Sequence, residues 1–262
     1  MADTVGSGPR CVALVGPYLS GKTTLLEAML TATGAIRRKG SVKEGNMVGD
    51  ASAVARKRQM SVELNIAHCE FMDEDWTILD CPGSIEFSLD GRSALMAADI
   101  AVVVVEPDAT KAKAVAPILK FLNDRSVPHV LFINKMDNPQ SSLEETLTAL
   151  QEVSELPLVL RHLPIRDGDK TTGYVDLISQ RAYQYKAGEP STVVEVPAEL
   201  ADEQTMARQE LLESLADFND DMLEQLLEDL VPDEKDIYRQ LIENVAVDNI
   251  VPVMIGAGEI QS

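Results

Sequence analysis

The segment at residues 16–24 constrains the fold of this chain more than any other part of the sequence. It reads Gly-Pro-Tyr-Leu-Ser-Gly-Lys-Thr-Thr and lies between an apolar run at residues 11–15 and apolar residues at helical spacing. This order predicts a strand, a tight loop and a helix. The spacing of the glycines, lysine and threonine predicts a P-loop, in which backbone N–H groups and a helix N-terminus hold a phosphate. A glycine-rich turn that binds nothing is the alternative, and the flanking strand and helix argue against it.

Each part of the predicted P-loop has its own expected task. The Lys22 amine can reach the β- and γ-phosphate oxygens, and the Thr23 hydroxyl can bind Mg²⁺. The residues predicted to contact the nucleotide here are Gly16, Pro17, Tyr18, Leu19, Ser20, Gly21, Lys22, Thr23 and Thr24.

Composition narrows the class of protein. The chain has 262 residues and 45% hydrophobic content, which suits one large domain or a domain with an insertion. Its three cysteines lack metal-binding spacing and form no even set, so we expect a reducing, cytoplasmic setting. We find no signal region and no apolar run long enough to span a membrane. The formal net charge of −20 argues against a broad nucleic-acid-binding face.

A second motif follows a predicted strand at residues 75–80. Asp80 is followed by Cys81, Pro82 and Gly83, so the strand delivers a carboxylate and then a glycine turn. In phosphoryl-transfer sites such a pair brings an aspartate to Mg²⁺ and a glycine N–H to the γ-phosphate. An ordinary turn is the alternative, and the position downstream of a P-loop favours the functional interpretation.

A third motif, Asn134-Lys135-Met136-Asp137, ends an apolar strand and predicts recognition of guanine. The Asp137 carboxylate can accept hydrogen bonds from both N1–H and the N2 amino group of guanine. Adenine would leave that acceptor unsatisfied, at a cost of about 1–3 kcal/mol. We expect Asn134 to tether the loop and the Lys135 stem to lie against the base. After a last strand at residues 250–255, a small-residue loop can approach the base with its backbone: Gly256, Ala257 and Gly258.

The remaining segments carry weaker signals. Residues 34–58 are polar and long, which predicts either a nucleotide-sensing loop or a floppy connector. Residues 61–71 predict a half-buried strand with Ile66 on its buried side. Residues 186–191 predict a loop within an α+β insertion at residues 158–245.

The last part of that insertion predicts helices at residues 197–218, 221–230 and 234–244. An inner apolar face is expected from Leu211, Leu215, Leu223, Leu226 and Leu227. The outer faces carry Asp202, Glu203, Glu210, Glu213, Asp217, Asp220, Asp221, Glu224, Glu228 and Asp229. This acidic surface is either merely solvated or a docking site for a basic partner.

Taken in order, these motifs resemble the nucleotide-binding domain of elongation factor G, with this chain as a divergent paralogue. The resemblance implies an α/β P-loop NTPase fold, with a six-stranded, mostly parallel sheet flanked by helices. Residues 1–157 and 246–262 would form the GTP-binding domain, and residues 158–245 the smaller insertion. It also implies GTP or GDP with Mg²⁺, action on the ribosome, contact between the insertion and a basic stalk protein, and further domains outside this chain. We expect a monomer.

The resemblance also assigns roles and exposes departures. Mg²⁺ would be bound by Thr23, Ser61 and Asp80, and catalysis would involve Lys22, Gly83 and Ser84. The family has histidine where Ser84 stands and aspartate where Leu19 stands, and its Arg-Gly-Ile-Thr motif is Arg58-Gln59-Met60-Ser61 here. Serine has a shorter side chain than histidine and no cationic form.

Three functions remain open at this stage. The first is a ribosome-associated GTPase that hydrolyses GTP slowly in isolation. The second is a GTP-binding regulatory switch with little hydrolysis, which Leu19 and Ser84 favour. The third is an adenine-nucleotide enzyme, against which the Asp137 motif argues.

Overall fold

The computed structural model describes residues 10–41, 44–50, 55, 57, 61–84, 88–168, 170–186 and 189–259. The strands are β1 (Arg10–Val15), β2 (Asn65–Phe71), β3 (Glu74–Asp80), β4 (Ile100–Val105), β5 (His129–Ile133), β6 (Leu158–Leu160), β7 (His162–Asp167), β8 (Lys170–Asp176), β9 (Ala182–Lys186), β10 (Glu189–Val194) and β11 (Val251–Ile255). The α-helices are α1 (Lys22–Ala32), α2 (Ser88–Leu95), α3 (Ala116–Asp124), α4 (Leu143–Gln151), α5 (Ala201–Ala216), α6 (Asp220–Leu227) and α7 (Glu234–Ala246).

The larger sheet has the strand order β2-β3-β1-β4-β5-β11-β6. All of its pairs are parallel except that of β2 with β3. Its central strands are continuous apolar runs because helices cover both faces, as in parallel sheets generally. One apolar cluster forms on each face, around Val103 and Leu131 on one side and Leu14 and Ile78 on the other. The predicted α/β class is confirmed.

The larger sheet has one strand more than expected. Strand β6 pairs in parallel with β11, with Leu158 opposite Val251, and forms a seventh, edge strand. The sequence pattern of residues 158–164 predicts one strand, but the structure has two strands here, β6 in the larger sheet and β7 in the smaller one. The first residues of the predicted insertion thus pair with the main sheet, while the insertion boundary itself stays a prediction.

The sequence predicts that Ile66 lies on the buried face of β2, and this prediction is wrong. Ile66 is 58% exposed, whereas Ala67 is buried. The tight turn at Met72 and Asp73, both with positive φ, joins β2 to β3 and sets their antiparallel register. Shifting the pairing register by one residue moves every side chain of a strand to the opposite face. The hairpin, rather than the local apolar pattern, therefore determines which face of β2 is buried.

Proline positions explain two further elements. Residues 110–123 predict a helix that Pro117 must either kink or begin. Pro117 lies in the first turn of α3, which follows a 3₁₀ helix at Ala109–Ala114, so it marks the start of the helix. The predicted loop at residues 186–191 is wrong, because Glu189–Val194 forms β10 and pairs with β9. Pro190 fits there because β10 is an edge strand of the smaller sheet, whose order is β10-β9-β8-β7.

The smaller sheet and helices α5 to α7 share a second apolar cluster, which also includes Val159 of β6. All ten acidic residues predicted on the outer faces are exposed. Leu211 and Leu215 are buried as predicted, but Leu223 is 43% exposed and Leu227 is 78% exposed. Met222 instead fills the inner position on α6, so the predicted apolar face of that helix is wrong in part.

Residues 85–98 predict a helix, and its first residues lie outside the described part of the chain, as do positions 58–60 of the motif and parts of the loop at residues 34–58. Within the part of the chain that the structure describes, no helix combines the length and apolar character needed to cross a membrane.

Candidate nucleotide-binding site

The predicted site residues gather at one edge of the larger sheet. The P-loop follows β1, Asp80 ends β3, Asn134 follows β5, and the loop at Gly256 follows β11. Because these strands are parallel, their carboxyl ends meet at the same edge, where ligands bind in open α/β sheets. Residues far apart in sequence thus gather at one edge of the sheet.

Backbone conformation explains two of the P-loop glycines. Gly16 has φ of 147° and Gly21 has φ of 90°, values that residues other than glycine rarely adopt. A Cβ on Gly16 would collide with the Val104 carbonyl, and one on Gly21 would collide with the Asn134 amide. Helix α1 begins at the next residue, Lys22, with no acidic residue in its first turn. Its positive end therefore faces the loop, as anion binding requires.

Lys22 lies inside the loop. Its Nζ donates to the carbonyls of Gly16 at 3.1 Å and Pro17 at 3.0 Å, and the residue is 6% exposed. Burial lowers the pKa of Lys22, while the Asp80 carboxylate acts in the opposite direction. Gly83 packs so closely that a Cβ there would collide with the Lys22 amine and lie 2.9 Å from the Pro17 carbonyl oxygen.

The other P-loop residues form its tip and its floor. Tyr18 is 47% exposed and Leu19 is 57% exposed, with Leu19 in the left-handed region at φ of 64°. Ser20 is buried, and its Oγ has no hydrogen-bond partner among the described residues. Thr24 lies half-buried in the first turn of α1.

Ser84 and Gly83 line an open cavity of about 980 Å³ beside the P-loop.

The three candidate metal ligands meet at one point. Thr23 Oγ1 donates to Asp80 Oδ2 at 2.7 Å and lies 2.9 Å from Ser61 Oγ. Asp80 is buried at the end of β3. Hydroxyl and carboxylate oxygens are the ligands that Mg²⁺ prefers, so this donor set fits that ion. Among the described residues there is no group of three or more His, Cys, Asp and Glu that could hold a metal.

Asn134 joins two loops of the pocket. Its Nδ2 donates to the Ser20 carbonyl at 3.0 Å, and its Oδ1 accepts a hydrogen bond from the Gly258 N–H at 2.9 Å. The side chain is 1% exposed, as is Ser20. Ala257, next to Gly258, is also buried. The phosphate-binding loop and the loop after β11 are therefore held together by one amide.

Lys135 and Asp137 flank this connection. Lys135, with φ of 61°, donates from Nζ to the Leu19 carbonyl at 2.6 Å and to Glu106 Oε1 at 2.6 Å. Its stem therefore crosses between the P-loop tip and the end of β4. Asp137 is half-buried. Burial is the main cause that raises the pKa of Tyr185, and the Tyr174 and Asp137 charges add to it.

The structure adds three residues that the sequence analysis missed. Glu106, at the end of β4, accepts hydrogen bonds from Lys111 and Lys135. Burial acts to raise its pKa, but these hydrogen bonds outweigh burial and lower it. Its position directly after a buried parallel strand was the available signal. The other two, Glu27 and Lys39, contact backbone groups of distant loops and gave no such signal.

The chain matches known proteins along nearly its whole length. Residues 9–259 match the family model described as the elongation factor Tu GTP binding domain. An elongation factor G-like protein of Synechocystis sp. is 47% identical over 259 residues, which are 99% of this chain and 39% of that protein. An elongation factor G-like protein of Mycobacterium tuberculosis is 32% identical over 82% of this chain and 29% of its own length.

A solved structure agrees with the sequence relatives. A crystal structure of a Thermus thermophilus protein superimposes with a TM-score of 0.88 at 31% identity, covering 98% of this chain and 38% of the other. Our chain thus spans well under half the length of these relatives. The resemblance inferred from the motifs is confirmed: this chain belongs to the elongation factor Tu GTP binding domain family, and its relatives there include elongation factor G-like proteins.

Proposed function

We propose that this chain binds GTP with Mg²⁺ and hydrolyses it to GDP and phosphate, slowly in isolation. The observation that carries the proposal is the meeting of three side-chain oxygens at the start of α1, where Thr23 Oγ1 lies 2.7 Å from Asp80 Oδ2 and 2.9 Å from Ser61 Oγ. A P-loop beside a convergent set of hard oxygen ligands suits a magnesium-bound nucleoside triphosphate.

The chain's own groups divide the work of phosphate binding. The P-loop N–H groups and the N-terminal end of α1 would hold the β-phosphate, and Lys22 would exchange its carbonyl partners for phosphate oxygens. The Gly83 N–H would contact the γ-phosphate, since the Gly83 backbone packs against the Lys22 amine. Magnesium, held by Thr23, Ser61 and Asp80, would neutralise charge on the β- and γ-phosphate oxygens.

Selectivity for guanine would come from the loop after β5. The Asp137 carboxylate would accept the N1–H and N2 hydrogens of the base, a pairing that adenine cannot supply. Asn134 holds this loop against both Ser20 and Gly258, so the base and phosphate subsites keep a fixed separation. The backbone at Gly256, Ala257 and Gly258 would contact the edge of the base.

Two substitutions favour slow turnover. Ser84 cannot carry a cationic charge or reach as far as the histidine of elongation factor G, so it would position an attacking water poorly. Leu19 cannot ligate a monovalent cation beside the phosphates. A GTP-binding regulatory switch with little hydrolysis therefore remains the second candidate function.

The proposed setting is the ribosome in the cytoplasm, with the chain acting as one part of a longer, monomeric protein. The acidic outer faces of α5 and α6 would dock a basic stalk protein. Support comes from the ten exposed carboxylates and from exposed Leu227 among them, which together suit a partner with basic and apolar side chains.

Single-turnover GTP hydrolysis, with and without ribosomes, tests this proposal. Slow hydrolysis by the chain alone, and stimulation by ribosomes when the longer protein is used, would support a GTPase. Tight GTP binding with no hydrolysis under either condition would favour the regulatory switch. If Ser84→His leaves the ribosome-stimulated rate unchanged, Ser84 does not limit turnover. Fast hydrolysis by the chain alone contradicts the assigned role of Ser84.

A further inference from the structure

A segment after α1, which we call the strap and define as residues 39–41 and 44–50, crosses the pocket from the base side to the metal side. It ends in a short 3₁₀ turn at Val48–Asp50. The sequence left this stretch open between a nucleotide-sensing loop and a floppy connector. Its contacts show that the buried Glu27 carboxylate and the half-buried Lys39 amine hold it in place.

The central anchor of the strap is Glu27 on α1. Its carboxylate accepts the Gly40 N–H at 2.8 Å through Oε2 and the Val48 N–H through Oε1. The Glu27 side chain is fully buried. A buried carboxylate is costly unless hydrogen bonds satisfy it, and here both partners are backbone groups of the strap. Glu27 therefore fixes two separated points of the strap against one helix.

The far end of the strap lies directly on the candidate metal ligands. A Cβ on Gly49 would lie 2.6 Å from Thr23 Cγ2 and 3.2 Å from Asp80 Oδ2. Only glycine allows the backbone to approach this closely. Because Val48 is bonded to Glu27, the same carboxylate determines where Gly49 rests.

The near end of the strap is tied to the base side of the pocket. Lys39 Nζ donates to the Gly258 carbonyl and, at 3.2 Å, to the Glu259 carbonyl. Burial lowers the pKa of Lys39, and the carboxylates of Glu259 and Glu27 act against that shift. The strap therefore connects the loop predicted to contact guanine with the turn that covers the metal ligands.

We propose that Glu27 is a positioning residue that seats the strap on the magnesium ligands and thereby slows nucleotide release. Glu27 touches neither the nucleotide nor the metal ligands in this proposal, and acts through the Val48 and Gly40 amides. The inference rests on the proposed function, because it assumes that Thr23, Ser61 and Asp80 bind Mg²⁺.

The test measures release of fluorescently labelled GDP from the whole chain at a series of Mg²⁺ concentrations and in EDTA. Glu27→Gln replaces one acceptor oxygen by an amide that faces an N–H, so one anchor is lost. We expect release at saturating Mg²⁺ to be about tenfold faster and the Mg²⁺ midpoint to rise about tenfold. In EDTA the variant should match the original chain, because the strap acts through the metal. Glu144→Gln, at an exposed position on α4, is the matched control.

The outcomes separate the inference from the proposed function. If Glu27→Gln retains the original Mg²⁺ midpoint, or accelerates release equally in EDTA, the positioning role is wrong while GTP binding stands. If the original chain retains no GDP in Mg²⁺, the proposed function fails, and the inference fails with it. Should Glu27→Gln not fold, Glu27→Asp gives the same decision, since the shorter carboxylate cannot reach both the Gly40 and Val48 amides and should also raise the Mg²⁺ midpoint.

Discussion

Replacing Asn134 with alanine removes the amide that joins the phosphate-binding loop to the loop after β11. Two partners lose their hydrogen bonds, the buried Ser20 carbonyl and the Gly258 N–H. Each buried polar group left unsatisfied costs about 1–3 kcal/mol. We therefore expect the free energy of unfolding to fall by about 2–4 kcal/mol, since water can reach part of the opened space.

The same change should weaken nucleotide binding. In Asn134→Ala the two loops would no longer be held at the separation that a base and its phosphates require. Part of the free energy of nucleotide binding would then be spent on restoring that separation, so the affinity falls. A cost of about 1.4 kcal/mol corresponds to tenfold in affinity, and we expect GDP to bind at least about tenfold more weakly. Urea denaturation and a GDP titration measure the two effects separately.

The matched control is Asn138→Ala, an exposed asparagine in the loop that follows β5. It should leave both unfolding and GDP affinity close to those of the original chain. Asn134→Asp keeps an acceptor for the Gly258 N–H but buries a charged oxygen against the Ser20 carbonyl, so it should destabilise the chain at least as much as Asn134→Ala. If Asn134→Ala binds GDP as tightly as Asn138→Ala, the idea that this amide sets the pocket geometry is refuted.

Two further predictions concern strain and pH. Leu19 is exposed and has φ of 64°, a conformation in which asparagine is far more common than leucine. Leu19→Asn should therefore raise the free energy of unfolding, measured by urea denaturation, by about 1 kcal/mol. Tyr18→Asn is the control and should give no such gain. Burial, and then the Arg161 charge, lower the pKa of His162 from 6.5 to about 4. As the pH falls below 6.5, His162 therefore takes up a proton in the unfolded chain but stays neutral in the folded chain. Stability should therefore drop as the pH falls from 6.5 towards 4, by about 2–3 kcal/mol more than in His162→Gln, and equal slopes for the two proteins in pH-dependent denaturation would contradict this.

The sequence was most informative where chemistry is local. Gly16, Gly21 and Lys22 lie within one short motif, and their spacing predicts both the turn and the anion site. Asp80 and Asn134 each follow an apolar strand, so the parallel topology brings them to the P-loop without further information. The gathering of these residues at one edge follows from the order of motifs.

The sequence was least informative where tertiary contacts decide. The exposed position of Ile66 depends on the register with β3, which the hairpin fixes and local alternation does not. The edge strand at Glu189–Val194 contains a proline, so its composition predicted a loop. The contacts of Glu27 with Gly40 and Val48 use backbone N–H groups, which every residue except proline carries, so no residue pattern marks them.

The most direct test of the proposed function is the nucleotide preference of the chain with Asp or Asn at position 137. Titrations with GDP, ADP and xanthosine diphosphate in Mg²⁺ should show that the original chain prefers GDP. In Asp137→Asn the side-chain NH₂ would face the N2 hydrogens of guanine but would match the 2-oxo group of xanthine. We therefore predict loss of GDP affinity and a gain for xanthosine diphosphate. Equal binding of ADP and GDP by the original chain, or unchanged GDP affinity in Asp137→Asn, would contradict the account.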